Sequence, residues 1–304
     1  FGQVKDINRD SFLLVFKSFL DNTQIGKEWE WVLPYPGGGM HNHPGIINTF
    51  EYPNVTMLQM DPIDCFPAKM RVDYPHKFFE KVIEKYEGKF NLVWSHLPEW
   101  TNLFKISRIY NKLQPIIGYC HWSEIPENGA RTENSFWTNI RGILQMEVCG
   151  VNSEYQKSVI LKNAALDFKP HIVEKLDKII QPWYLGCDSA TPSNGYDDKT
   201  IVFNHREGVY TGSKWFFETM DELWKERQDF KVYTTLKEMG KPYTKYIGAA
   251  DRKVYLNQLS KAHFGVGTFQ GYSAWSMSTT DGFSVGVPYL LPNNFCYPEM
   301  VGGD

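Results

Sequence analysis

The sequence predicts an α/β protein of two doubly wound domains facing a cleft. Three observations predict it. Strand-like and helix-like runs alternate along the 304 residues, as they do where helices cross over between parallel strands. One segment, DSATPSNGYDDK from Asp188 to Lys199, interrupts them; it is rich in Ser, Pro, Gly, Asn and Asp and carries no hydrophobic period. Beyond it the alternation restarts. Residues 1–187 are therefore assigned to an N-terminal domain, 188–198 to a linker and 199–304 to a C-terminal domain, in line with about 150 residues per domain. Open α/β sheets bind ligands at the carboxyl ends of their strands, so the cleft is the expected site.

Each element has its own signal. DSFLLVFKSFL has helical spacing behind a capping Asp10 or Ser11, and WEWVLPYP reads as a strand ending in prolines. PHKFFEKVIEKYE is an amphipathic helix with Phe78, Phe79, Val82 and Ile83 on one side. FNLVWSH is a buried strand, TNLFKISRIYNKL a helix and PIIGYCHW a strand. GILQMEVCGVNSEYQKSVIL reads as a short helix, a strand and a helix capped by Asn152 or Ser153. KPHIVEKLDKII is a short helical piece, left by QPWYLGCD. In the second half TIVFNH, FKVYTTL, TKYIGA, FGVGTF and VPYLLP are strands. SKWFFETMDELWKER and VYLNQLSKA are helices, and a further helix starts near Ser276.

Composition narrows the function classes. A hydrophobic content of 42% with 22% charged residues is that of a soluble globular protein. A net charge of −3 argues against a surface coated in basic charge for nucleic acid. The five cysteines form no CxxC, and the odd number points to a reducing cytosol: the cytoplasm, or the host cytoplasm if the protein is viral. No apolar run approaches the roughly 20 residues of a membrane span, and no signal peptide is visible. The chain begins with Phe and ends in VGGD, so trimming at both ends is expected. Aromatic content is 15%, with ten Trp; such rings build cores and also line clefts that stack sugars or bases.

The stretch WSMSTTDGFSVGVPYLLP, Trp275 to Pro292, concentrates the candidate chemistry. A loop leaves FGVGTF at Gln270–Gly271 and enters a helix whose unpaired first-turn amides form an anion site. Ser276, Met277 and Ser278 open that helix, and Ser276, Ser278 and Thr279 add hydroxyls. Asp281, about one turn further in, has two oxygens for two ribose hydroxyls; equally, it is a favourable charge near a helix start.

DGFSVGVPYLLP resembles the EAMACGVPVV segment of the group 1 (family 4) retaining glycosyltransferases, which have the GT-B fold of two Rossmann-like domains. The resemblance implies that Asp281, five positions before Gly286, binds the ribose of a nucleotide-diphosphate sugar. The family's second acidic residue, eight positions earlier, contacts the donor sugar; here that position is Ser273, a departure that leaves donor identity and retention open. YIGAADRKVYLNQLSKAHFGVGTF is similar to the run that puts Gly248 beside the base. VFNHREGVYTGSKWFFETMDEL is similar to the segment whose Arg and Lys hold the diphosphate, which implies Arg206 and, with looser spacing, Lys214. In the first half, NLVWSH and PIIGYCHWSEIP match more weakly, and His121 falls where a strand-ending His touches the donor sugar. GVNSEYQK and IIQPWYLGCD resemble the turn and the exit that follow.

The resemblance implies glycosyl transfer from a nucleotide-diphosphate sugar to an acceptor hydroxyl, with retention. Catalytic roles fall to His121, Arg206 and Lys214, and donor binding to Asp281, Ser273, Ser276, Met277, Ser278 and Gly248. No cofactor and no metal are expected. Two imidazoles, His41 and His43 in PGGGMHNHPG, are weak evidence for a metal, and no DxD-type pair is present, Asp61 and Asp64 being three apart. The family's acceptors are carbohydrates, lipids, small molecules and, in some bacteriophages, hydroxymethylated DNA bases. FKISRIYNK and KEMGKPYTKY carry cations beside aromatics, which suits DNA and suits solvated helix faces as well. Two further classes are a sugar-nucleotide epimerase and an inactive GT-B binding protein.

Overall fold

The computed structural model describes residues 11–36, 51–60, 82, 84–86, 89–99, 101–102, 114–123, 125, 133–186, 196–197, 199–236, 239–248 and 251–302. His41, His43, Asp61, Asp64, most of the linker segment and most of PHKFFEKVIEKYE and TNLFKISRIYNKL lie outside them. The chain divides into two compact units, Phe1–Val151 with Val159–Pro182, and Asn152–Ser158 with Trp183–Asp304.

In the first unit, helices α1 (Ser11–Asn22) and α2 (Gln24–Glu28) precede a parallel pair, β1 (Trp31–Pro36) and β2 (Val55–Met60). Strands β3 (Val93–Ser95), β4 (Ile116–Cys120), β5 (Val148–Val151) and β6 (Ile180–Pro182) form a parallel sheet in chain order. Helix α3 (Glu133–Ile143) precedes β5; α4 (Glu154–Asp167), whose residues up to Ser158 belong to the second unit, and α5 (Pro170–Ile179) follow it. Phe136, Ile140, Ile143, Ile160, Leu176 and Ile180 bury the sheet's apolar face together with Ile116 and Val151. A second cluster is aromatic: Trp94 meets Phe19 at 4.4 Å and Trp31 at 6.3 Å, edge on.

The expected helix at GILQ is only the end of α3. Its polar first half hides the spacing of Phe136, Ile140 and Ile143, which marks one helical face. Strand β6 follows α5 without a turn and is three residues long, too short for a period to show. Ser153, not Asn152, caps α4: its Oγ accepts from the Gln156 amide at 3.0 Å. The Gln156 carboxamide in turn accepts from the Asn152 amide at 2.8 Å, an arrangement close to a capping box.

The second unit holds a five-stranded parallel sheet in the order β11-β10-β7-β8-β9. These are β7 (Thr200–Phe203), β8 (Lys231–Thr234), β9 (Thr244–Tyr246), β10 (Phe264–Val266) and β11 (Tyr289–Leu290). Helices α6 (Ser213–Glu226), α7 (Arg252–Leu259), α8 (Met277–Ser284) and α9 (Tyr297–Met300) complete it. Strand β7 is buried throughout because both faces are covered. Ile201 and Phe203 pack with Val232 against Phe216, Phe217 and Met220 of α6. Val202 and Tyr233 pack with Leu259, Val285 and Val287 on the other side. Burying one such side chain contributes about 1.5–3 kcal/mol. The chain winds outward from β7 in one direction through β8 and β9, then returns to β7's other edge as β10. The order therefore reverses between β7 and β10, where a doubly wound sheet opens a crevice at its carboxyl edge.

The GVP sequence ends α8. Gly286 has φ 80°, and the amides of Gly286 and Val287 donate to the carbonyls of Phe283 (3.1 Å) and Gly282 (2.9 Å). This is the double hydrogen bond of a left-handed helix stop, which only glycine adopts without strain. Gly282, one turn earlier, has no room for a Cβ because the Tyr289 ring lies against it.

Among the described residues no helix is long and apolar enough to cross a membrane. Cys120, Cys149 and Cys296 are buried free thiols.

Candidate functional site

The carboxyl ends of β7 and β10 bring together most of the residues singled out in the second unit. Strand β7 runs out through Asn204 and His205, both buried, into an exposed Arg206. The following loop is tight: the Thr211 hydroxyl bonds the carbonyls of Arg206 (2.9 Å) and Gly208 (2.8 Å). Gly212, at φ 66°, then starts α6 with no side-chain cap. Only glycine fits there, since a Cβ would run into the Thr268 carbonyl of the loop after β10. Thr268 Oγ1 donates to the Thr211 carbonyl and the Gln270 amide to that of Tyr210 at 2.9 Å, so the two loops are laced together. The start of α6 thus presents amides that no side chain caps, beside Arg206, an arrangement suited to an anion. Lys214 lies in α6's first turn with its side chain 87% exposed, 3.8 Å from Glu218.

His205 lies edge-on between the rings of Phe203 and Phe269, each 5.2 Å away. Burial pushes its pKa down to about 4, opposed by a hydrogen bond to the Val266 backbone. It is therefore a neutral imidazole joining the ends of β7 and β10.

The serines at the start of α8 are engaged within the protein. Ser276 caps the helix, accepting from the Thr279 amide at 3.3 Å, and its hydroxyl pairs with Thr279 Oγ1 at 2.8 Å. Ser278 Oγ donates to the Asn204 carbonyl at 2.9 Å. Met277 is half-buried at the first helical position. Ser273 is buried, its Oγ 3.6 Å from Cys296 Sγ. Gly248 follows β9 half-buried, and a Cβ there would meet the Tyr246 ring.

Asp281 is buried, and α7 supplies its partners. Arg252 Nη2 donates to Asp281 Oδ1 at 2.6 Å, and Nη1 reaches Oδ2 at 3.5 Å. The Tyr255 hydroxyl faces the same carboxyl and helps to hold its pKa down. Burial is the largest influence and pushes the Asp281 pKa up; Arg252 and Tyr255 oppose it without cancelling it. The network continues into the sheet. Asn204 Nδ2 donates to Tyr255 Oη at 2.9 Å and to the Ser278 carbonyl at 2.8 Å, and Tyr289 Oη donates to Asn204 Oδ1 at 3.0 Å. Asp281 is in this way tied to the end of β7.

In the first unit His121 follows β4 at its carboxyl end. Its ring stacks on that of His96 (5.8 Å, 17°) and lies 4.6 Å from that of Tyr119. His96 follows β3, and burial pushes its pKa to about 3. Among the described residues no three His, Cys, Asp or Glu side chains gather as a metal site.

Sequence reasoning gave no role to Arg252, Tyr255, Asn204 or His205. Arg252 reads as one more charge on a solvated helix start, and only the fold sets it against Asp281. Asn204 and His205 do carry a signal, being the residues that leave the first strand of a doubly wound unit.

The sequence matches no family model and no curated protein. Solved structures do match. An apo structure of OtsA aligns with 95% of this chain and 83% of its own, at TM-score 0.63 and 10% identity. HepE of Anabaena, in complex with UDP and glucose, covers 81% of this chain and 70% of its own, at TM-score 0.59 and 9% identity. The pneumococcal O-GlcNAc transferase GtfA, in complex with UDP and GlcNAc, covers 74% of this chain at TM-score 0.55 and 12% identity. This chain spans about half of that protein, 47%. These are GT-B glycosyltransferases, and the likeness shows that the chain has the GT-B fold.

Proposed function

We propose that this chain is a glycosyltransferase that moves a sugar from a nucleoside-diphosphate sugar to an acceptor hydroxyl, with the second unit binding the donor. The observation that carries the reading is that Arg206, the uncapped start of α6 and Asp281 all lie on segments that follow β7 or β10 at the sheet's carboxyl edge. An exposed cation and free amides suit a diphosphate, and a carboxylate suits ribose hydroxyls. Structures of this fold have been solved with UDP bound, so UDP is the first nucleotide to try.

In the proposed reaction the bond between the anomeric carbon and the phosphate oxygen breaks, and the acceptor oxygen bonds that carbon. The acceptor proton passes to the leaving phosphate. Arg206, Lys214 and the α6 amides stabilise the charge that builds on the diphosphate, and no metal is required. We extend the reading to retention, the leaving phosphate assisting the acceptor from the same face. His121 is carried forward from the sequence resemblance alone. The acceptor class is a carbohydrate or another hydroxyl compound.

A thermal-shift screen of nucleoside-diphosphate sugars tests the reading, followed by transfer and hydrolysis assays. A true donor at a hundred times its Kd stabilises by about 2.7 kcal/mol. If no sugar nucleotide raises the melting temperature, the reading is wrong. A second reading, a nucleotide-sugar binder without transferase activity, draws on Ser273, a neutral and buried hydroxyl where the resembled family has an acidic sugar contact. Binding without transfer or hydrolysis would favour it.

A further inference from the structure

Arg252 is oddly placed. It occupies the first position of α7, behind the Asp251 cap that accepts from the Lys253 amide at 2.7 Å and the Val254 amide at 3.0 Å. A helix start carries partial positive charge, so a cation there is unfavourable. Its guanidinium nevertheless sits on Asp281, with the Arg252 side chain 33% exposed and the Asp281 side chain 11% exposed. The two contacts are unequal: Oδ1 is held at 2.6 Å, while Oδ2 is touched only at 3.5 Å. An ionised carboxylate has about four acceptor positions. Arg252 and Tyr255 leave part of that capacity open.

We propose that Arg252 is a positioning residue for the donor's ribose: it fixes the plane of the Asp281 carboxylate and keeps it charged, so that its less engaged oxygen accepts from ribose hydroxyls. This rests on the donor-binding reading of the second unit. The groups facing Asp281 are Arg252 and Tyr255 on α7 and, more remotely, Tyr289 on β11. Among the described residues Arg252 is the only cation of these. Without it the burial that already raises the Asp281 pKa acts with only Tyr255 against it. The carboxyl then takes up a proton at higher pH, gains a donor hydrogen and loses acceptor capacity. A neutral, freely rotating acid is a poorer partner for two hydroxyls.

The test is calorimetry of UDP and 2′,3′-dideoxy-UDP binding to the parent, Arg252→Met, Arg252→Lys and Asp281→Asn proteins across a range of pH, with thermal melts to show that each is folded. The ratio of the two affinities isolates the ribose hydroxyls, because the titration of the diphosphate cancels. The expected result is a UDP affinity lowered about tenfold or more in Arg252→Met, dideoxy-UDP changed little, and an affinity ratio that collapses at higher pH than in the parent. Arg252→Lys, which keeps the charge but not the planar fork, is expected to restore the pH dependence and only part of the ratio. Equal losses for both ligands, or no loss, in Arg252→Met with Asp281→Asn still impaired for UDP, would overturn the role of Arg252 while leaving Asp281 at the ribose. An Asp281→Asn protein that binds UDP as tightly as the parent would remove the ribose assignment, and the role of Arg252 with it. A melted Arg252→Met protein leaves Arg252→Lys to decide, and an unchanged ratio there across pH would count against the fork.

Discussion

Arg252 Nη2 lies 2.6 Å from Asp281 Oδ1, joining the first residue of α7 to the interior of α8. The pair forms because α7 and α8 cover the same side of the sheet, Leu259 and Val285 sharing one apolar cluster.

Asp281→Ala is expected to weaken nucleoside-diphosphate binding about tenfold or more, since a hydrogen bond to a charged group contributes about 1.5–3 kcal/mol. The fold should persist, because the abandoned Arg252 is one-third exposed and water reaches it. Calorimetry with UDP checks the first point and a thermal melt the second. Unchanged affinity would end the ribose assignment.

Arg206→Ala should lower turnover more than donor affinity. Arg206 is exposed, so its removal leaves packing intact. In the proposed reaction the charge it faces grows as the diphosphate departs, so its contribution is greatest in the transition state. Steady-state kinetics decide it: a raised KM with normal kcat would mean uniform binding instead.

Stability should fall with acidification through His205. Its folded pKa of about 4 lies below the ordinary 6.5, so the unfolded chain takes the proton first. The stability contributed by the neutral form is whole above about pH 6.5 and is lost as pH falls toward about 4, up to about 3 kcal/mol. His96, held near 3, extends the loss to lower pH. Melting temperatures across this range should drop less steeply for His205→Asn than for the parent; parallel curves would show that His205 is not the titrating group.

Gly286→Ala is expected to cost about 1 kcal/mol, because φ 80° puts a Cβ against the following carbonyl. The same change at Gly282 should cost more, since the Tyr289 ring would have to move and its hydrogen bond to Asn204 with it. Thermal melts of the two variants test the order, and a milder Gly282→Ala would contradict it.

By itself the sequence determined the alternation of elements, the second unit's strands and a helix starting near Ser276, because each of these is local. Both faces of β7 are buried, so its apolar run is continuous. The short β6 and the polar first half of α3 were not legible, since a three-residue strand carries no period and α3 shows its apolar face only against the sheet. Tertiary structure alone decided what the site residues do with their polar atoms. Ser276 and Ser278 stand close to Asp281 in sequence and read alike as anion donors, yet their hydroxyls are bonded within the protein. Arg252, twenty-nine residues from Asp281, carries no mark of its role. Which charge meets which carboxylate depends on how two helices pack on one sheet face, and that is set by apolar contacts such as Leu259 with Val285 rather than by the spacing of the charges themselves.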